Sequence, residues 1–164
     1  MRRFKQELSQ EECKQILGEQ KRGVLSLVGD GGYPYGIPMS YLYCEEEGKI
    51  YFHGAKEGHK IDAIKNGASS DSDARGGTKA SFCVMTDGKA EPGEWALNFK
   101  SVIVFGTIRL VDDEENARKI CTALVQKFTD DQDYLQKELK NALPRVQCLE
   151  LTIEHLSGKR VKEE

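Results

Sequence analysis

The sequence lacks an excess of positive charge. Its 24 Lys and Arg residues are outnumbered by 27 Asp and Glu residues, so the formal net charge at pH 7 is -3. Proteins that bind nucleic acids neutralise phosphates and normally carry a basic surface. The composition therefore argues against a nucleic-acid partner.

The sequence also lacks a long apolar run. Its most apolar stretch, Val102–Phe105 with its neighbours, is far shorter than the ~20 residues of a membrane-spanning helix. The charged start, Met1–Glu7, is not followed by the apolar segment of a secretory signal. We therefore expect no membrane span and a cytoplasmic location.

Metal-binding motifs are missing as well. The five cysteines include no CxxC pair, and the three histidines include no HxxxH spacing. An odd number of scattered cysteines is typical of packing residues in a reducing compartment. We expect neither a disulfide framework nor a metal site. The cysteines are Cys13, Cys44, Cys83, Cys121 and Cys148, and the histidines are His53, His59 and His155.

What is present is an ordinary globular composition, with 38% hydrophobic and 31% charged residues in a chain of 164. A chain of this length corresponds to one domain and buries roughly 70% of its unfolded surface. We therefore treat residues 1–164 as a single domain.

The N-terminal part predicts a helix followed by a β-hairpin. Ser9 and Glu12 have the spacing of a capping box, which predicts a short helix. Val24–Val28 and Tyr33–Cys44 are β-prone segments on either side of the Asp-Gly-Gly turn at residues 30–32. Two such segments around a tight turn predict a hairpin.

Pro34 and Pro38 lie within the second strand of this hairpin. Proline has no backbone N–H to donate to a neighbouring strand, so it is confined to edge strands and bulges. We therefore expect the second strand at an edge of its sheet or interrupted by a bulge.

The rest of the chain alternates predicted strands and helices. Residues 67–78 are small or polar without periodicity, which predicts a mobile loop after a helix that stops at Asn66 and Gly67. The predicted strands are 49–53, 80–86, 101–111 and 146–153, and the predicted helices are 58–66, about three turns following 112–115, and 133–142.

This element order contains no sustained βαβ alternation, so we predict an α+β, mainly β protein with antiparallel strands. About six strands with hairpin spacing favour a small barrel, because closure hides the edges of a sheet.

Residues 53–60, with the sequence HGAKEGHK, lie where the third predicted strand turns into a helix. Free N–H groups at a helix start, together with nearby cations, suit a phosphate group. The same residues also suit a solvated turn, because they match neither GxGxxG nor a P-loop. The spacing alone leaves both interpretations open.

Four segments of the chain carry a resemblance to a known family: GIPMSY at 36–41, IYFHGAKEGHK at 50–60, FKSVIVFGT at 99–107 and IEHLSGK at 153–159. Together they resemble the FMN-binding split-barrel superfamily, which includes pyridoxamine 5'-phosphate oxidase, and most closely its nitroimidazole reductase-like (nitroimidazole-resistance) branch. Their order and separations also fit that family, so the resemblance spans nearly the whole chain.

The resemblance implies a six-stranded antiparallel split barrel with flanking helices, a homodimer and one FMN in each groove between subunits. It implies that Lys56, His59 and Lys60 hold the FMN phosphate, and that His53 lies near the flavin as the catalytic residue. The strand at 38–41 would supply backbone groups along the isoalloxazine edge. The implied cofactor-binding residues are Pro38, Met39, Ser40, Tyr41, His53, Lys56, His59, Lys60, Ser101, Val102 and Lys159.

The function that the resemblance implies is a flavin-dependent oxidoreductase acting on a small molecule, with His53 donating or orienting a proton. One alternative is a non-catalytic protein that stores or senses FMN. Another is a haem-binding split barrel with His53 or His155 as an axial ligand. The chain lacks the C-terminal Arg-x-His motif of pyridoxamine 5'-phosphate oxidases, which argues against vitamin B6 oxidation.

Overall fold

One antiparallel sheet organises the chain. The computed structural model describes residues 4–70, 77–93 and 95–161, and these residues form seven strands and four α-helices. The strands are β1 (Arg22–Val28), β2 (Pro34–Ser40), β3 (Leu42–Cys44), β4 (Lys49–Ala55), β5 (Thr78–Met85), β6 (Phe99–Val111) and β7 (Val146–Val161). The helices are α1 (Gln10–Glu19), α2 (His59–Ser70), α3 (Glu114–Gln126) and α4 (Gln132–Ala142).

The sheet curls until its two edges meet. Its strand order is β2-β1-β5-β6-β7-β4-β3, so β2 and β3 occupy opposite edges. Only Tyr41 separates these two strands in the chain. Consecutive Cα atoms are 3.8 Å apart, so the ends of the two edge strands must lie side by side. The result is a barrel with a split where β2 diverges from β3, which confirms the predicted barrel architecture.

The prediction of six strands was wrong, because the segment 33–44 forms two strands rather than one. The hairpin of β1 and β2 is confirmed, and β2 with its two prolines lies at an edge as expected. Beyond Tyr41 the chain changes partner and pairs with β4, so that Leu42 lies opposite Tyr51. The sequence shows a continuous β-prone run at this point, and only the closure of the sheet divides it.

The inside of the barrel is the main hydrophobic core. Tyr41, Phe52 and Phe82 pack edge to face with ring centroids 4.8 and 5.1 Å apart. Alternation along the strands points every second side chain inward. Helices α1 and α2 add apolar side chains to the same core. Its fully buried members include Leu17, Leu25, Tyr41, Phe52, Ile61, Ile64, Phe82, Ile108, Leu149 and Leu151.

A second apolar cluster lies on the outer face of the sheet, where α3 packs against β4 and β7. It contains Tyr51, Ile120, Leu124 and Cys148. Because α3 covers this side, four successive residues of β7, from Cys148 to Leu151, are all buried. Glu150 is among them, and its carboxylate accepts hydrogen bonds from Arg109 at 2.7 Å and from Lys49 at 3.3 Å.

The helix boundaries depend on local capping. Ser9 and Glu12 form the predicted capping box of α1, and Asp113 accepts a hydrogen bond from the Asn116 N–H at the start of α3. The predicted end of α2 at Asn66 and Gly67 was wrong, since the helix continues to Ser70. Of the predicted loop 67–78, residues 71–76 lie outside the described residues, and β5 begins at Thr78.

The last strand is twice as long as predicted and contains a bulge. It runs to Val161 rather than to residue 153, and it pairs with β6 along its length. The register shifts between Phe105 and Gly106, where Phe105 lies opposite His155 and Gly106 opposite Ile153. Glu154 is therefore the extra residue of β7. Gly106 has no space for a side chain, because a Cβ there would overlap the Thr152 carbonyl.

No helix among the described residues is long and apolar enough to cross a membrane.

Tyr41, the residue that joins β2 to β3, is held in place by contacts from α1 and from the end of α3. Its hydroxyl donates to the Leu17 carbonyl at 2.8 Å. Lys127, which caps the C-terminus of α3, donates to the carbonyls of Gln20 and Tyr41 at 2.7 and 3.2 Å. Its Nζ atom also lies 4.2 Å from the centre of the Tyr41 ring. Lys127 therefore connects α3, the end of α1 and the point where the barrel closes.

Lys127 should make stability depend on pH. Burial, with a smaller contribution from the charge of Lys21, lowers its pKa from 10.5 to about 8. Between these values the unfolded chain holds more protons than the folded one. The unfolding free energy of the wild type should therefore rise with pH relative to Lys127→Met, by less than ~1.4 kcal/mol per pH unit. Urea unfolding of both proteins at several pH values between these limits measures this difference, and a constant difference contradicts the expectation.

Candidate functional site

The turn between β4 and α2 forms a helix N-terminus that faces outward. Gly58 has a φ of 111°, a conformation that L side chains rarely adopt. Its carbonyl accepts the N–H groups of Ile61 and Asp62 at 2.8 and 3.1 Å, and this starts the helix. The N–H groups of His59 and Lys60 belong to the first turn, so they have no acceptor within the helix. This end of α2 is suited to an anion.

Lys60 lies across the end of β4. A Cβ atom at Gly54 would overlap the Lys60 Nζ atom, so glycine at this position makes room for the lysine. Burial lowers the pKa of Lys60. No carboxylate pairs with Lys60 among the ion pairs of the described residues. The turn therefore holds a partly buried ammonium group that has no counterion in the described part of the chain.

His53 lies beside this ammonium group. Its side chain is on the outer face of β4, directly opposite Cys148 of β7. Partial desolvation lowers the pKa of His53, and the positive charge of Lys60 lowers it further. His53 is therefore neutral at neutral pH, able to donate one hydrogen bond and to accept another.

The other two residues of the predicted cradle point elsewhere. His59 Nδ1 lies 3.2 Å from the Asp30 carboxylate, and its ring packs edge to face on Tyr35. His59 thus ties α2 to the β1–β2 hairpin. Lys56 lines a separate groove of about 760 Å³ beside α3 and α4, together with acidic residues that include Asp113. Of the three predicted phosphate ligands, the structure brings only Lys60 close to His53.

The predicted residues of β2 divide between the two faces of the strand. Met39 and Tyr41 are buried in the barrel core, which leaves only their backbone groups for a ligand. Pro38 is exposed and Ser40 is half-buried on the outer face. Continuing the β3–β4 register backward past Tyr41 puts Ser40 opposite His53, and β2 and β4 do contact each other. Ser40 and His53 therefore flank the split.

The predicted residues of β6 and β7 also divide between the faces. Ser101 lies opposite Lys159 and opposite Met85, on the outer face of the sheet. Val102 is fully buried in the core, so its side chain cannot line an outer groove. The outward members of the predicted set on the strands are thus Pro38, Ser40, His53, Ser101 and Lys159.

An apolar surface lies on the same outer face, and the sequence did not predict it. Val24, Cys83 and Ile103 are successive cross-strand neighbours on β1, β5 and β6. Met85 and Phe105 are on the same face and are 59% and 50% exposed. In the sequence the stretch 102–105 of β6 is uniformly apolar, so its exposed and buried positions could not be distinguished. We call these five residues the outer sheet patch.

Two other contributors to the site had no sequence signal. Gly54 contributes because its lack of a side chain leaves room for Lys60, and Asp30 contributes through its contact with His59. Both effects depend on how α2 folds back onto the sheet. The described residues contain no group of three or more metal-ligating side chains.

Comparison with known proteins places this architecture in a family. The family model described as pyridoxamine 5'-phosphate oxidase matches residues 9–160. A comparison with curated proteins found no match.

Several solved structures share the fold. One, described as a 5-nitroimidazole antibiotic resistance protein from Bacteroides thetaiotaomicron, is 17% identical with a TM-score of 0.72, covering 94% of this chain and 88% of that one. An FAD-binding protein from Mesorhizobium loti is 22% identical with a TM-score of 0.62, covering 95% and 97% of the two chains. An FAD and haem binding protein from Mycobacterium smegmatis is 19% identical with a TM-score of 0.69, covering 94% and 72%.

The electrostatic coupling of His53 to Lys60 can be measured directly. Lys60→Met removes a positive charge that disfavours protonation of the imidazole, so the pKa of His53 should rise in this variant. NMR titration of the histidine ring protons measures the change. Lys56→Met removes the same charge from the same turn and should leave the pKa of His53 unchanged. Equal shifts in the two variants contradict the proximity of Lys60 and His53.

Proposed function

The chain belongs to the pyridoxamine 5'-phosphate oxidase family, and we propose that it is a flavoprotein that binds FMN at the split between β2 and the start of α2. The family membership supports a flavin. FAD-binding proteins among the structures that share the fold support it as well. The choice of a mononucleotide rests on the local chemistry of the split.

Lys60 is the observation that carries this proposal. It is a desolvated cation without a carboxylate partner among the described residues, and it lies next to the free N–H groups that begin α2. A terminal phosphate would supply the missing negative charge and accept those N–H groups. The residues present therefore fit the anionic end of FMN.

His53 and the edge of β2 would serve the other end of the flavin. When bound, FMN supplies the capacity to accept and release a hydride. Neutral His53 would hold a hydrogen bond or a proton at the edge of the ring. A bound phosphate would offset the charge of Lys60, and this would return the pKa of His53 toward its ordinary value. Ser40 and the free backbone groups of β2 would orient the ring.

We assign this site to a flavin-dependent oxidoreductase acting on a small molecule. The odd number of scattered cysteines is typical of a reducing compartment, which supports a cytoplasmic location for such an enzyme. The alternative is a non-catalytic protein that only stores or senses FMN. His53 favours the enzyme, because a neutral imidazole beside a flavin is poised for proton transfer.

The outer sheet patch supports a homodimer in which two copies share the flavin groove. The patch is apolar, exposed and continuous with the outward residues Ser101 and Lys159. Large exposed apolar surfaces of this kind usually mark an interface. A second copy on this face would cover the patch and complete the groove.

The decisive experiment compares FMN with riboflavin, which lacks the phosphate. Wild-type protein should quench FMN fluorescence on binding and should bind riboflavin more weakly. Lys60→Met should raise the Kd for FMN roughly 10- to 150-fold, as expected for the loss of one charge-assisted contact of ~1.5–3 kcal/mol. The same variant should bind riboflavin as the wild type does.

Lys56→Met is the matched control and should change the Kd for FMN much less. An unchanged FMN affinity in Lys60→Met contradicts the proposed phosphate site, and FAD binding tighter than FMN binding contradicts the choice of mononucleotide.

A turnover assay of the FMN-loaded protein distinguishes an enzyme from a protein that only binds FMN. An enzyme oxidises NAD(P)H or reduces a nitroaromatic compound, and His53→Gln loses this turnover while retaining FMN.

A second prediction concerns the dimer. Phe105→Glu introduces a charge into the outer sheet patch and should convert a dimer into a monomer with weakened FMN binding. Tyr134→Glu makes the same kind of change at an exposed position on α4 and should remain dimeric. Sedimentation velocity measures both masses. A wild type that sediments as a monomer with FMN bound contradicts the shared groove.

A further inference from the structure

Two cysteines face each other between α3 and β7. The Sγ atoms of Cys121 and Cys148 lie 3.5 Å apart, and Cys148 Sγ lies 3.6 Å from the Ala117 carbonyl. Cys148 is buried in the second apolar cluster, whereas Cys121 is at its half-exposed edge. The two thiols therefore meet inside an apolar cluster that also contains Tyr51, Ile120 and Leu124.

The separation of the two sulfur atoms is close to that needed for a covalent bond. A disulfide has an S–S length of ~2.05 Å, so the sulfur atoms need to approach by only about 1.5 Å. Both side chains start from regular elements that pack against each other, so rotation of the thiols can supply much of this movement. Of the other cysteines, Cys13 lies in the barrel core and Cys83 on the outer face of β5. Cys44 of β3 packs against the same apolar cluster, which makes it the matched control for this pair.

The two thiols are chemically unequal. A hydrogen bond from Cys148 stabilises the Cys121 thiolate, which lowers the pKa of Cys121 and raises the pKa of Cys148. The thiolate is the reactive form of cysteine. Cys121 is also the more exposed of the two, so a small oxidant reaches it first.

We propose that Cys121 and Cys148 form a peroxide-sensitive dithiol that closes to a disulfide between α3 and β7. The Cys121 thiolate attacks one oxygen of hydrogen peroxide, the O–O bond breaks, and Cys121 becomes a sulfenic acid as hydroxide leaves. The Cys148 sulfur then attacks the Cys121 sulfur, the S–O bond breaks, and the Cys148 proton leaves with the oxygen as water. The two thiols lose two electrons in total, and peroxide is reduced to water.

This bond would join α3 to the sheet at the edge of the candidate site. Cys148 is the cross-strand neighbour of His53. The proposal concerns only thiol chemistry and does not depend on flavin binding.

The experiment treats the full-length protein with hydrogen peroxide and then maps its disulfides. The intact mass should fall by about 2 Da, and the number of thiols titrated after denaturation should drop from five to three. Peptide mapping should find Cys121 linked to Cys148, and dithiothreitol should restore both thiols. Cys121→Ala should not lose this mass, whereas Cys44→Ala retains the pair and should lose it as the wild type does.

Three results overturn the proposal. The linked peptide could contain a different pair of cysteines, Cys121 could accumulate as a sulfinic acid without a cross-link, or the mass loss could persist in Cys121→Ala. Mapping of the wild-type protein decides the first two without any variant, so the test stands even if a substitution prevents folding.

Discussion

The fold depends on one constraint: a single buried residue, Tyr41, joins strands that lie at opposite edges of the sheet. A sheet with this connection cannot remain flat, because the chain would have to cross its full width in one residue. Closing it buries the aromatic rings of Tyr41, Phe52 and Phe82 together. Lys127 donates a hydrogen bond to the Tyr41 carbonyl from outside the barrel, and the desolvation of its ammonium group opposes this contact.

The candidate site is a product of that closure. Where β2 leaves β3, its outer edge passes the end of β4 and the first turn of α2. The turn between β4 and α2 brings Lys60 next to His53, whereas Ser40 of β2 comes to the same place only because the sheet curls. Gly54 lets the lysine lie over the strand, so the absence of one side chain determines where the positive charge sits. This arrangement explains why a helix N-terminus suited to an anion lies next to a neutral histidine.

The sequence was sufficient for most elements of the fold, since alternation, capping and turn residues act locally. Ser9 and Asp113 cap their helices, and Pro34 and Pro38 fall on an edge strand. The sequence did not predict the element boundaries that are determined by tertiary contacts. The break at Tyr41 has no local signal, and α2 continues to Ser70 although Asn66 and Gly67 are typical of a helix end. In the site, residue types could be listed, but Lys56, His59 and Lys60 could not be told apart without the direction in which each side chain leaves the turn.

The bulge at Glu154 has a consequence for the C-terminal half of β7. Up to Ile153 the odd-numbered residues face the core, as Leu149 and Leu151 do, but after the bulge Leu156 and Gly158 face inward instead. One additional residue has thus exchanged the inward and outward positions of the strand beyond it. Lys159 reaches the surface for this reason alone. Removing Glu154 would reverse the faces of the last seven residues of the strand, 155–161, driving Lys159 toward α1 and presenting Leu156 to solvent. The length of this strand is therefore specified as tightly as its composition.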